Sequence, residues 1–152
     1  MLTNATKIAI RAMLYLAMFS DDTKKFGVKH IAETLQIPKP FLSKLLHKLN
    51  KSNIVSSTKG PRGGFYLNKL NAKKSVWDII VCIDNPERFD HCFLGLAKCS
   101  DENPCPVHFT VAPFKKKIMR DFKDKTIVTL ANEIKSSDKV IISLKDFDSI
   151  DS

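Results

Sequence analysis

The run Lys59-Gly60-Pro61-Arg62-Gly63-Gly64 leaves the chain little choice but a tight turn. Glycine reaches backbone conformations closed to other residues, and proline lacks the donor that a helix interior or a central strand needs. β-prone residues flank the run, with Ile54-Val55-Ser56-Ser57-Thr58 before it and Phe65-Tyr66-Leu67 after it. The segment therefore predicts a β-hairpin whose tip carries Lys59 and Arg62. A lone hairpin is marginally stable in water, so neighbouring helices must supply its core.

Apolar spacing places those helices. Ile8, Ala9, Ala12, Met13, Leu16 and Ala17 recur at helical intervals over 5–19, and Ser20-Asp21-Asp22 stops them. Ile31, Ala32 and Leu35 give a short helix over 28–35. Gln36-Ile37-Pro38 is a tight connection. A third helix runs to about Lys51 with Leu42, Leu45, Leu46 and Leu49 inward, and Pro40 is tolerated in its first turn. Residues 75–83 form another short helix, on which Trp77 and Cys82 read as packing residues.

Three prolines and three cysteines make 84–107 an irregular loop. A longer helix starts between Val107 and Val111, with Phe114, Ile118 and Phe122 spaced by four. Ile127, Leu130, Ala131 and Ile134 continue the pattern after a break near Asp124. The tail from Ser136, with its Val140-Ile141-Ile142, receives no assignment. The fold class is mainly α with a small β-hairpin. It divides into a winged helix-turn-helix domain at 1–83, a cysteine-rich loop at 84–108, a long C-terminal helix at 109–135 and a tail at 136–152.

Charge is unevenly placed. Residues 1–74 hold 14 Lys+Arg against 3 Asp+Glu, and residues 75–152 hold 11 against 13, so +11 and −2 make up the total of +9. A basic unit joined to a near-neutral one suits a polyanion-binding module that carries a separate sensing or assembly module. No apolar run approaches the ~18–20 residues that span a bilayer. Lys7 and Arg11 sit within an amphipathic stretch that lacks a secretory layout, so the expected location is the cytoplasm.

The third helix offers Lys39, Ser43, Lys44, Asn50 and Lys51, flanked by His47 and Lys48. Such groups reach phosphates and base edges in a major groove. A slim basic hairpin tip with Lys59 and Arg62 fits a narrow minor groove. Each feature alone is ordinary, since surface lysines are usually just solvated and glycine-rich turns are usually just turns. Their order along the chain is what points to duplex DNA.

These residues resemble the IscR/NsrR/CymR-type winged-helix regulators of bacteria. The resemblance rests on Ala12-Met13-Leu14-Tyr15-Leu16-Ala17, on Ile31-Ala32 with Ile37, on Phe41-Leu42 with Leu45 and Leu49, and above all on Lys59 through Leu67. It covers roughly residues 1–135. It implies a homodimer in which the helix at 109–135 is the dimerisation helix and each wing-helix unit reads one half-site. Two positions depart from the family. Ser43 stands where the IscR type has glutamate. Lys59 stands where many members have arginine, which keeps the charge but loses the planar fork.

The chain has four cysteines, Cys82, Cys92, Cys99 and Cys105, and three of them fall within 14 residues. The loop reads C-x6-C-x5-C-x2-H from Cys92 to His108. Soft thiolates suit iron–sulfur clusters, and imidazole can replace one of them. The resemblance implies that Cys92, Cys99, Cys105 and His108 ligate such a cluster, 2Fe–2S with 4Fe–4S as the other nuclearity. Some NsrR-type members use an aspartate from the partner's first helix, but Lys7 occupies that position here. His91, Asp101 and Glu102 are weaker fourth candidates. Structural zinc and a metal-free thiol switch are the alternatives, although these gaps exceed the usual zinc spacing.

The expected function is a cluster-sensing transcription regulator acting as a repressor, with duplex DNA and a second copy of the chain as partners. A metal-free regulator controlled by a partner protein is the other reading. No nucleophile–base pair at a recognisable spacing and no phosphate-binding loop suggests an enzyme.

Overall fold

The computed structural model describes residues 1–137. The tail beyond Ser137, including Val140-Ile141-Ile142, lies outside the described residues. The elements are α1 (Asn4–Phe19), α2 (Val28–Leu35), α3 (Lys39–Lys51), β1 (Ser56–Thr58), β2 (Gly64–Tyr66), α4 (Lys69–Ala72), α5 (Val76–Ile83), α6 (His108–Asp124) and α7 (Ile127–Lys135). The fold is mainly helical with one antiparallel hairpin, as the sequence predicts. No described helix is long and apolar enough to cross a membrane.

α1 is the hub. Thr3 caps it by accepting from the Thr6 backbone N–H at 3.3 Å. Ala9, Ala12, Met13 and Leu16 are wholly buried along it, and it touches α2, α3, α5, α7 and β2. Small residues at Ala9 and Ala12 let neighbouring helices approach closely. Arg11 reaches across to donate to the Leu35 carbonyl at 2.8 Å, which places a cation at the C-terminal end of α2.

α2 stops at Gln36, whose left-handed backbone (φ 55°) lets its N–H and that of Ile37 turn back onto the helix. α3 then leaves with Pro40 in its first turn. Leu42, Leu45, Leu46 and Leu49 bury its inner side, so Lys39, Lys44, His47 and Lys48 are left outward.

The hairpin pairs Ser57 with Phe65. Ile54 and Val55 are buried but precede the strand, which starts only at Ser56. The sequence does not reveal a third edge. Phe26 bonds Phe65 in both directions, at 3.0 and 2.8 Å, and anchors the wing beside α1 and α2. Gly64 makes this possible. Its φ is +145°, and a Cβ there would lie 2.6 Å from the Phe26 carbonyl carbon.

The expected break near Asp124 is present: α6 ends there, and Thr126 caps α7 afresh and pairs with Ser75. Three further points differ from expectation. The loop after α5 opens with a 3₁₀ turn, Pro86–Phe89, that drives Phe89 into the core against Trp77. Cys82 is half-buried rather than core, and its thiol points at Ser52 Oγ, 3.4 Å away. An unforeseen short helix, α4, is held by Asn71. Its buried side chain accepts from Ser56 and from the Asn68 N–H and donates to the Asn53 carbonyl.

Two outcomes follow. Gly64→Ala forces a side chain into the Phe26 backbone and should cost about 1–3 kcal/mol, the usual scale of enforced backbone strain. Ile79→Ala empties a fully buried position on α5 and should cost about 2–5 kcal/mol. Chemical denaturation of both variants checks these losses.

Candidate nucleic-acid interface and metal centre

On α3, Lys39, Ser43 and His47 follow one another at four-residue intervals, and Lys44 lies beside them. Lys39, Lys44 and His47 are exposed and Ser43 is half-exposed. His47 lies edge-on to Phe65 of the wing, with ring centroids 5.8 Å apart. That contact ties the helix to the hairpin. Lys59 and Arg62 are exposed at the wing tip, where Gly63 N–H closes the turn on the Gly60 carbonyl at 2.9 Å. Gly60 takes a φ of +103° there.

Two side chains proposed for the same face are engaged elsewhere. Asn50 donates to the Val55 carbonyl at 3.0 Å and so shapes the entry to the wing. Lys48 reaches the Ile83 carbonyl at 3.3 Å and links α3 to the end of α5. Conversely, Lys24 and Lys25 lie over the Phe26 and Tyr66 rings, 5.6 and 4.7 Å from the centroids. They add cations beside the wing. Only the Phe26–Phe65 pairing brings them there, and no local pattern announces it.

The cysteine loop converges. The sulfurs of Cys92, Cys99 and Cys105 all lie within 4.8 Å of one another. His108, the first residue of α6, brings Nδ1 to 3.2 Å from Cys99 Sγ. These residues, with Asp90, Val111 and Lys115, line a hollow of about 50 Å³. Lys115 donates to the His91 carbonyl and thereby ties the start of the loop to α6. Asp101, named as a possible fourth donor, instead places its carboxylate 2.7 Å from His108 Nε2. Lys7 is exposed on α1.

The thiols are not equivalent. The Leu96 backbone N–H pulls the Cys92 thiol down to about 7 against the effect of burial, and Leu94 and the two neighbouring thiols assist. For Cys99 the Cys105 backbone N–H also pulls down. Burial and the neighbouring sulfurs outweigh it, and the thiol ends above its ordinary value of 9.0. Contact with His108 and the nearby charge of Lys116 hold the Asp101 carboxyl below its usual range.

A lowered thiol pKa means more thiolate, and thiolate is the nucleophile. In metal-free protein, alkylation of Cys92 should therefore rise around pH 7, whereas Cys99 should follow only above pH 9.0. Peptide mass spectrometry after brief alkylation across this range reads the order. Equal rates for the two at pH 7 would contradict it.

Residues 2–133 match the family model described as "Rrf2: Iron-dependent Transcriptional regulator". An HTH-type transcriptional regulator of Aquifex aeolicus (strain VF5) is 40% identical over 132 residues, covering 86% of this chain and 90% of that protein. The HTH-type transcriptional regulator IscR of Yersinia pseudotuberculosis serotype O:1b (strain IP 31758) is 28% identical over 131 residues, covering 86% and 79%. Among solved structures, CymR (YrzC), the global cysteine regulator of B. subtilis, superposes with a TM-score of 0.70 at 20% identity, over 88% of this chain and 97% of that one. T. potens IscR superposes with a TM-score of 0.69 at 20% identity, over 93% of each chain. With the winged fold and an exposed basic helix and wing already in view, these matches establish that the chain belongs to the Rrf2 family of DNA-binding transcriptional regulators.

Proposed function

We propose that this regulator is a homodimeric repressor that works in the cytoplasm and senses redox, nitric oxide or iron–sulfur status through a cluster held by Cys92, Cys99, Cys105 and His108. The observation that carries this reading is the convergence of three sulfurs within 4.8 Å, with an imidazole nitrogen beside them. The donor chemistry fits. Soft sulfur ligands and one neutral nitrogen suit a 2Fe–2S centre, with 4Fe–4S the other candidate. A Cys92 thiol already near neutral in pKa costs little to deprotonate. The description of the matching family as iron-dependent and the IscR relatives support the same reading. When bound, such a cluster supplies reversible electron uptake and reactive iron–thiolate bonds.

The protein's own residues offer a route from loop to DNA. Phe89 sits between Trp77 of α5 and Phe122 of α6, at ring-centroid distances of 5.3 and 6.4 Å. α5 in turn meets α3 through the Lys48–Ile83 and Cys82–Lys48 contacts. A change in the loop therefore bears on the mounting of α3. In this reading Lys39, Ser43, Lys44 and His47 face the major groove, and Lys59 and Arg62 enter the minor groove.

α6 supports the second copy. None of its 17 residues is buried, and Phe109 and Phe114 stand 65% and 55% exposed. Large rings in water imply a covering partner. The sequence row Phe114–Ile118–Phe122 divides here. Phe122 packs within its own chain, and Phe114 is left for the partner. Ile127 and Ala131 of α7 are already buried against the domain.

A second reading follows from the same sulfurs. Three thiols in contact, one of them half ionised near pH 7, are also poised for oxidation without any metal. Iron and acid-labile sulfide in anaerobically purified protein separate the two readings. Stoichiometric iron and sulfide in the native chain, lost in Cys→Ser variants at 92, 99 and 105, is the expected result. Protein with neither, after anaerobic reconstitution, favours the thiol switch.

On DNA, Arg62→Ala should weaken operator binding by about 1–3 kcal/mol. It should also flatten the salt dependence by about one unit of slope if Arg62 contacts a phosphate, read by titration at several salt concentrations. Phe114→Glu should yield a folded monomer by light scattering. An unchanged dimer mass would place the interface elsewhere.

A further inference from the structure

His108 is gripped from both sides. Its Nε2 lies 2.7 Å from Asp101 Oδ1, and its Nδ1 lies 3.2 Å from Cys99 Sγ. An ionised carboxylate can only accept, so the hydrogen in the first contact belongs to Nε2. In a neutral imidazole the other nitrogen then carries the lone pair, and that nitrogen faces the sulfurs. The loop is shaped for this. The Ser100 N–H donates to the Asn103 carbonyl, and the Asn103 N–H donates to Ser100 Oγ, both at 3.2 Å. This small turn carries Asp101 round to the outer side of the ring. The imidazole side chain is 15% exposed and the carboxylate 76%, so Asp101 closes the site from outside rather than entering it.

We propose that Asp101 is a positioning residue: its carboxylate holds His108 in the Nε2–H form and turns Nδ1 toward Cys92, Cys99 and Cys105 as the nitrogen ligand. The inference rests on the cluster reading above. Carboxylates behind ligating histidines fix ring orientation and raise basicity, and their loss typically lowers metal affinity about 10–100-fold. The tetrad thus has a fifth member that binds no metal itself. Glu102 is a chain neighbour of the same charge, but the contact with the ring belongs to Asp101.

The test has two arms. In the full-length metal-free chain, long-range proton–nitrogen NMR of labelled histidine reads the tautomer of His108. The native protein should show hydrogen on Nε2, and Asp101→Ala should show a mixture. Asp101→Asn, which keeps an acceptor oxygen, should lie between them. Circular dichroism confirms that each variant folds. In the second arm, protein carrying histidine labelled with ¹⁵N at Nδ1 is reconstituted anaerobically with ferrous iron and sulfide. After reduction, hyperfine coupling to the label identifies the bound nitrogen, and Asp101→Ala should release iron to a chelator about 10-fold or more readily. Coupling through Nε2, or a native-like tautomer and iron retention in Asp101→Ala, overturns the assignment. Failure of the native chain to take up iron and sulfide instead refutes the cluster reading. The metal-free tautomer arm needs no iron and still decides the Asp101 contact.

Discussion

The burial of α1 is the constraint on which the rest of the structure depends. Ala9, Ala12, Met13 and Leu16 exclude water completely, and around them gather α2, α3 and β2 of the basic half and α5 and α7 of the other. Apolar area removed from water at one central helix thus joins two halves of very different charge. The basic face of the chain gains nothing from burial and stays hydrated, where it is available to phosphates. Because the two halves share one helix, a shift on either side bears on the packing of the other.

The wing shows how local permissiveness and distant contact combine. Glycine at 64 allows a left-handed backbone, and the absence of a Cβ admits Phe26. The resulting third edge pairs both backbone groups of Phe65, which leaves the hairpin less dependent on its own short ladder. His47 against Phe65 then couples the hairpin to α3. Helix and wing are thus joined into one basic surface.

The cysteine loop follows a different logic. Little apolar surface holds it, and Phe93, Leu94 and Leu96 are largely exposed. Its shape comes from hydrogen bonds. Gly95 N–H closes on the Cys92 carbonyl at 3.0 Å, His108 N–H closes on the Cys105 carbonyl at 3.0 Å, and Lys115 clamps the His91 carbonyl. Such a segment opens locally at low cost.

The residues alone determined the longer helices, the hairpin, the basic first half and the clustering of Cys92, Cys99 and Cys105 in one loop. All of these are written in spacings of two or 3.6 residues, in turn chemistry or in composition, and they need no knowledge of distant contacts. What only the tertiary structure decided is which polar groups remain free. Asn50 and Lys48 resemble their neighbours on α3, yet the chain's closure brings the Val55 and Ile83 carbonyls to them and occupies them. Asp101 and Glu102 are adjacent and chemically alike, yet a turn closed by Ser100 and Asn103 delivers one of them to His108. The apolar row after residue 108 breaks near Asp124 as its spacing suggests, yet only packing shows that Ile127 and Ala131 are buried in the domain while Phe109 and Phe114 are left in water. A hydrogen bond or a buried ring is settled by where distant backbone arrives, and periodicity carries no record of that.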